Sequence, residues 1–205
     1  MIFTLTLYMQ KILGYTAIQT GLAFLPLAFM ILIFSNVASR QVVRVGVKRM
    51  LILGLTITVV GLLLFLGLSA NGSYVQTLLP GLLVVGLGMG PTFGSMVIAA
   101  TAGVSDDEQG LASGVFNTTQ QVGSGLVLAA VTAISTAQAT SLLQNSEPMK
   151  AALAGGFRYA LITCAILDAL AVVVAIFVIP TSKSLPKIVQ DEGRVGQQVT
   201  GQRAR

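Results

Sequence analysis

The sequence predicts an all-α polytopic membrane protein. Of its 205 residues, 54% are hydrophobic and only 9% are charged, whereas a soluble domain carries about 25% charged residues. The mean hydropathy is +0.85, and long uncharged runs recur along the chain. Because a transmembrane helix needs about 20 consecutive, mostly apolar residues, these runs predict membrane spans.

Six apolar segments follow one another along residues 1–180. The first is too short to span the bilayer and indicates the second half of a helix, so the chain is expected to be a fragment or to have a misplaced start. Residues 181–205 are polar and are predicted to form a disordered cytoplasmic tail, because they cannot bury enough apolar surface to fold. The predicted spans are 1–13 (partial), 20–39, 50–70, 75–100, 110–135 and 157–180.

The connections between these spans carry turn and charge signals. Pro26 lies within the second segment and is expected to bend it, since proline removes one ladder donor. A tight turn is predicted at residues 71–73, a short acidic loop at 101–109 and a polar outer loop at 136–156.

The most basic connection is predicted at residues 40–49, RQVVRVGVKR. Short loops rich in Lys and Arg lie on the cytoplasmic side, which places this loop and the C-terminus inside. The loop either serves topology alone or acts as a conformational latch between helix ends. Its residues of interest are Arg40, Arg44, Gly46, Lys48 and Arg49.

Glycine and proline interrupt the fourth segment near its middle. Gly86 and Gly90 form a GxxxG pair that permits close backbone approach between helices. Pro91 removes a backbone hydrogen bond next to these glycines and so weakens the helix there. With Gly94 they are predicted to be packing and bending elements.

The fifth segment combines a small face with a polar centre. On a helix, one side carries small or polar residues that can pack closely or line a polar path. Asn117, Gln120 and Gln121 are the candidates for the wall of a substrate cavity, the alternative being interhelical hydrogen bonds. The members of the shared face are Gly110, Gly114, Asn117, Gln121, Ser124 and Gly125.

Asp168 is the one acidic residue within a predicted span. An ionised carboxylate at the bilayer centre costs about 2.5–3.5 kcal/mol on insertion scales, so a proton-titrating role is the functional hypothesis. A protonated, hydrogen-bonded Asp168 or one near water at a helix end is the structural alternative.

The composition argues against several other functions. The chain has no His and one Cys, Cys164, and it lacks the motifs of a metal site, a catalytic triad or a phosphate loop. We therefore expect no enzyme activity, no metal and no cofactor. The basic residues flank apolar runs, which favours a lipid bilayer and not nucleic acid as their partner.

Three stretches together resemble the C-terminal half of a major facilitator superfamily transporter, of the fourteen-helix drug:proton antiporter type. They are FTLTLYMQKILGYTAIQTGLAFLP, LLPGLLVVGLGMGPTFG and GLASGVFNTTQQVGSGLVLAAV. Residues 39–49 are similar to the superfamily's loop motif, with Ser39 at the first glycine, Val43 at the acid, and Arg44 and Gly46 at the following positions. Gly86 to Ser95 is similar to the antiporter motif GxxxGPxxGG, which in the family lies in the first half.

The resemblance implies a six-helix half of a transporter that works by alternating access. We expect proton-coupled efflux of small, lipophilic or cationic molecules across the bacterial inner membrane, driven by the proton gradient. The expected partner is the missing N-terminal half or another half-transporter. The alternatives are a non-transporting membrane scaffold or assembly partner, and a facilitator or uptake transporter of the same fold.

Overall fold

The computed structural model describes residues 1–68, 73–101, 104–144 and 148–178. Within these ranges the chain is helical and contains five helical segments long and apolar enough to cross a membrane: Ala17–Val42, Val47–Gly67, Tyr74–Ala100, Gln109–Gln144 and Met149–Val178. The all-α fold class is therefore confirmed, and the chain is an integral membrane protein. The α-helices of the described ranges are α1 Ile2–Lys11, α2 Ala17–Ala23, α3 Leu25–Val45, α4 Val47–Leu64, α5 Leu79–Thr101, α6 Gln109–Gln144 and α7 Met149–Val178.

Helix α5 lies at the centre of one half of the bundle, packed against both α3 and α4, while α7 joins α4 to α1 and α6. The main apolar core includes Tyr8, Phe65, Leu82 and Leu161, each at most 1% exposed. Tyr8 meets Phe157 edge-on, with ring centroids 6.3 Å apart. Outside this core many large apolar side chains are exposed, as expected where lipid is the solvent.

The second predicted span is interrupted at Phe24, just before Pro26, while Ala17–Val42 remains one segment long enough to cross a membrane. Helix α2 is closed at its start by a capping box between Thr16 and Gln19, and it ends at Ala23. Helix α3 then begins with Pro26 in its first turn. A proline is well tolerated there because its missing N–H would have had no helical partner.

The basic stretch 40–49 is not the loop that the sequence predicts. Helix α3 continues to Val45 and α4 begins at Val47, so Gly46 alone separates them. Its φ of +89° lies in a region that residues with a side chain rarely adopt. Glycine at this position therefore lets the chain reverse direction within one residue. The backbone of Arg44 belongs to α3, and its side chain lies outside the described part.

The predicted outer loop at 136–156 is also largely helical. Helix α6 extends to Gln144 and α7 begins at Met149. Close packing explains the extension: a Cβ on Gly155 would lie 2.5 Å from Leu142 Cδ1, and one on Gly156 would lie 2.5 Å from the Ser135 carbonyl oxygen. The predicted tail, 181–205, and most of the predicted turn at 71–73 lie outside the described residues.

Candidate functional site

The polar centre of α6 lies on an open side of the molecule. Every residue from Asn117 to Ala130 is exposed. Thr118 donates to the Gly114 carbonyl at 2.9 Å, so its hydroxyl is satisfied within the helix. The side-chain amides of Asn117, Gln120 and Gln121 form no hydrogen bond with another described residue. They are therefore available to an external ligand or to a further helix.

The small face of α6 does not pack on the helix that carries Gly86–Ser95. A Cβ built on Gly110, Gly114, Gly123 or Gly125 would meet no described atom within 4 Å. Of the two uses that the sequence allows for this face, close packing and a polar path, the described residues show no close packing at these glycines. The reason is geometric: α6 packs closely on α7 through its far end, near Ser135 and Ala139, and its glycine-rich part extends beyond that contact.

Gly86 and Gly90 lie in the contact between α5 and α3. A Cβ on Gly86 would lie 2.6 Å from Met30 Cβ, and one on Gly90 would lie 2.8 Å from the Ser35 backbone nitrogen. Pro91 is buried within α5, and the helix continues through it to Thr101. A Cβ on Gly94 would have no described neighbour within 4 Å, so that glycine lies apart from the crossing.

A second close crossing, which the sequence analysis does not predict, joins α5 to α4. A Cβ on Gly88 would lie 2.6 Å from the Gly54 carbonyl oxygen, and a Cβ on Gly54 would lie 2.8 Å from the Gly88 carbonyl oxygen. Each glycine precedes a threonine by four residues, and Thr58 and Thr92 donate to those same carbonyls at 3.0 and 2.8 Å. The Gly-xxx-Thr spacing, which occurs in both α4 and α5, is the feature of the sequence that could have indicated this crossing.

Asp168 is half-buried on α7, on the same side as the buried Leu161, Ala165 and Ala175. Its Oδ2 atom is inaccessible to solvent and has no hydrogen-bond partner among the described residues. No hydrogen bond joins it to Asn117, Gln120 or Gln121 within those residues. The carboxyl group and the polar centre of α6 are therefore not joined by a direct hydrogen bond in the described structure.

The residues of the basic stretch take different positions. Arg40 and Arg49 are exposed. Lys48 lies beside the C-terminal end of α7, where its Nζ donates a hydrogen bond to the Ile176 carbonyl at 2.7 Å. This contact joins the start of α4 to the last turn of α7, where a cation also interacts favourably with the helix dipole.

Comparison with known proteins gives the class to which this bundle belongs. The profile described as Major Facilitator Superfamily matches residues 1–203. The chain belongs to the major facilitator superfamily of transporters.

Several relatives in this superfamily are drug or antibiotic exporters. The chain is 34% identical over 155 residues to the puromycin resistance protein of Streptomyces alboniger, a match that covers 74% of this chain and 31% of that protein. It is 34% identical over 128 residues to the cephamycin export protein of Amycolatopsis lactamdurans, covering 62% of this chain and 26% of the relative. An uncharacterised superfamily transporter of Mycobacterium tuberculosis is 32% identical over 152 residues, covering 70% and 27%. The matched segment is thus less than a third of each of these relatives.

Proposed function

We propose that this chain is the C-terminal half of a proton-driven small-molecule exporter of the fourteen-helix drug:proton antiporter type. Its place would be the bacterial inner membrane, with the C-terminus in the cytoplasm. The names of the relatives support export as the direction of transport. The small share of those relatives that the match covers supports a half that works with a second half.

The observation that carries this proposal is the open polar face of α6. Asn117 and Gln121 share that face with Gly110 and Gly114, and all four are exposed in the described structure. Amide groups facing lipid are unfavourable, because the bilayer core offers them no hydrogen-bond partner. A second helical bundle opposite α6 would cover the glycines and enclose a cavity, where at least one of Asn117, Gln120 and Gln121 would meet a lipophilic or cationic substrate.

Proton coupling is assigned to Asp168. Its buried Oδ2 atom lacks a described partner, so the ionised form has little to stabilise it and binding of a proton removes the cost of a buried charge. Proton entry would neutralise the group and favour one arrangement of the helices, and proton release would favour the other. The proton gradient then supplies the energy, and no bound cofactor is required.

The test pairs the full chain with the first six-helix half of a relative in inverted membrane vesicles. We expect accumulation of a cationic dye that collapses on addition of a protonophore. Asn117→Ala with Gln121→Ala should raise the KM for the dye, and Asp168→Asn should abolish the dependence on the gradient. Gln76→Ala, which removes an exposed amide elsewhere, serves as the matched control.

The alternatives give different results in the same assay. A facilitator would equilibrate the dye without a gradient, and an uptake transporter would move it in the opposite direction under an imposed pH gradient. A scaffold would give no flux in any variant. Transport that is unchanged in the combined Asn117, Gln121 and Asp168 variant would contradict the assigned site.

A further inference from the structure

A groove with a volume of about 450 Å³ opens between α1 and α6, both of which pack against α7. Its size falls within the range of small-molecule sites, about 300–1,000 Å³. Its walls are mainly apolar, and none of the residues proposed for the transport site lines it. The large apolar lining residues are Phe3, Leu7, Val131, Leu143, Leu153 and Phe157.

The groove runs along the helices towards one end of the bundle. Helices α1 and α6 point the same way, since both run antiparallel to α7. Along α1, Met1 lies against Cys164 and Tyr8 against Phe157. Along α6, Ser135 lies against Gly156 and Leu142 against Gly155. With a rise of about 1.5 Å per residue, the wall from Phe3 to Lys11 is about 12 Å long. Lys11 and Thr140 therefore lie at the same end.

Three threonine hydroxyls of α6 have no hydrogen-bond partner among the described residues. Thr132, Thr136 and Thr140 are spaced four residues apart, line the groove and share one helix face. Helical threonines elsewhere, such as Thr118 and Thr163, donate to the carbonyl four residues earlier. The groove hydroxyls are thus free to donate to a ligand.

Positive charge is concentrated at the end of the groove. Lys11 is an exposed lining residue and forms no ion pair with any residue in the described ranges. Lys150 lies three residues before Leu153 and seven before Phe157, so it shares the helix face that lines the groove. A ligand at this end would contact Lys11 and a row of hydroxyls, with the charge of Lys150 one helical turn before the lining residue Leu153.

We propose that this groove binds one anionic phospholipid. The headgroup phosphate lies at the Lys11 and Thr140 end, and an acyl chain lies along the apolar wall formed by Leu7 and Val131. A free anion would leave that wall without a partner, and a zwitterionic headgroup would gain less from the two cations. The site is independent of the proposed transport role, because it requires only a bilayer.

The absence of tryptophan from the chain permits a direct test with a single introduced reporter. Leu143→Trp places the reporter in the groove, and Leu126→Trp places it at an exposed position on the same helix. The full chain is reconstituted in phosphatidylcholine vesicles with matched amounts of acyl-brominated phosphatidylglycerol or acyl-brominated phosphatidylcholine. We expect the brominated phosphatidylglycerol to quench Leu143→Trp at least twofold more strongly and to show no preference at Leu126→Trp.

The charge requirement is tested on the Leu143→Trp background. Lys11→Gln should abolish the preference, and Lys11→Arg should retain it, which separates loss of charge from loss of folding. Arg158→Gln removes an exposed cation that does not line the groove and should leave the preference intact. Equal quenching by the two lipids, a preference that survives Lys11→Gln, or displacement of the lipid by inorganic phosphate would overturn the proposal.

Discussion

Gly54 and Gly88 face each other across the crossing of α4 and α5, each against the backbone carbonyl of the other. A Cβ on either residue would lie 2.8 or 2.6 Å from the opposite carbonyl oxygen, a separation that real Cβ atoms do not tolerate. Thr58 and Thr92 donate to these two carbonyls. The two helices therefore meet backbone to backbone at this crossing, and two threonine hydroxyls satisfy the carbonyls that face each other. Small residues allow such close contacts between membrane helices.

Gly88→Ala is expected to destabilise the bundle by about 1–3 kcal/mol, because the added methyl group overpacks a backbone contact that cannot yield. Gly94→Ala is the matched control on the same helix, since a Cβ there has no described neighbour within 4 Å. The measurement is reversible unfolding in a detergent mixture followed by circular dichroism. Equal free energies of unfolding for the two variants would contradict the assigned crossing.

The sequence could predict that α5 packs closely, but not that it does so on two sides. Gly86 and Gly90 contact α3, whereas Gly88, about 200° around the helix from each of them, contacts α4. A GxxxG pattern identifies one small face. The identity of the neighbour depends on the tertiary arrangement, and the similar small face of α6 has no close neighbour among the described residues.

Gly46→Ala is expected to cost about 1–3 kcal/mol of stability, because φ +89° and ψ 148° form a backbone conformation that is essentially restricted to glycine. Gly21→Ala is the control: a Cβ at this position in α2 would meet no described atom within 4 Å beyond its own helix backbone and chain neighbours, and alanine is the better helix former. The same unfolding assay checks both. A neutral Gly46→Ala would mean that the reversal between α3 and α4 does not require this conformation.

Helix ends were the least predictable part of the fold. Residues 40–49 and 136–156 carry the charges, hydroxyls and small side chains that favour loops, yet most of them are helical. At the first site the turn is concentrated in Gly46. At the second, the contacts of Gly155 with Leu142 and of Gly156 with Ser135 extend both helices. The local sequence shows which residues are polar, but the ends of these helices depend on tertiary contacts that the local sequence does not show.

Lys48→Gln is expected to loosen the last turn of α7 without unfolding the bundle. The Nζ of Lys48 donates to the Ile176 carbonyl at 2.7 Å, and its loss leaves a terminal carbonyl without a charged donor. Hydrogen exchange of the amides in the last two turns of α7 should become faster. Arg49→Gln, which removes an exposed neighbouring cation, should leave that exchange unchanged, and equal acceleration in both variants would indicate a general charge effect.

Gly114→Ala separates the two interpretations of α6. If its glycine face packed within this chain, the added methyl group would destabilise the bundle as Gly88→Ala does. Because a Cβ on Gly114 would meet no described atom within 4 Å beyond its own helix backbone and chain neighbours, we expect the free energy of unfolding of the isolated chain to stay constant or to rise by up to about 1 kcal/mol through helix propensity. Unfolding of the 205-residue chain in detergent measures this directly. A loss of stability similar to that of Gly88→Ala would show that the face is already occupied, and it would remove the open surface on which the proposed second half depends.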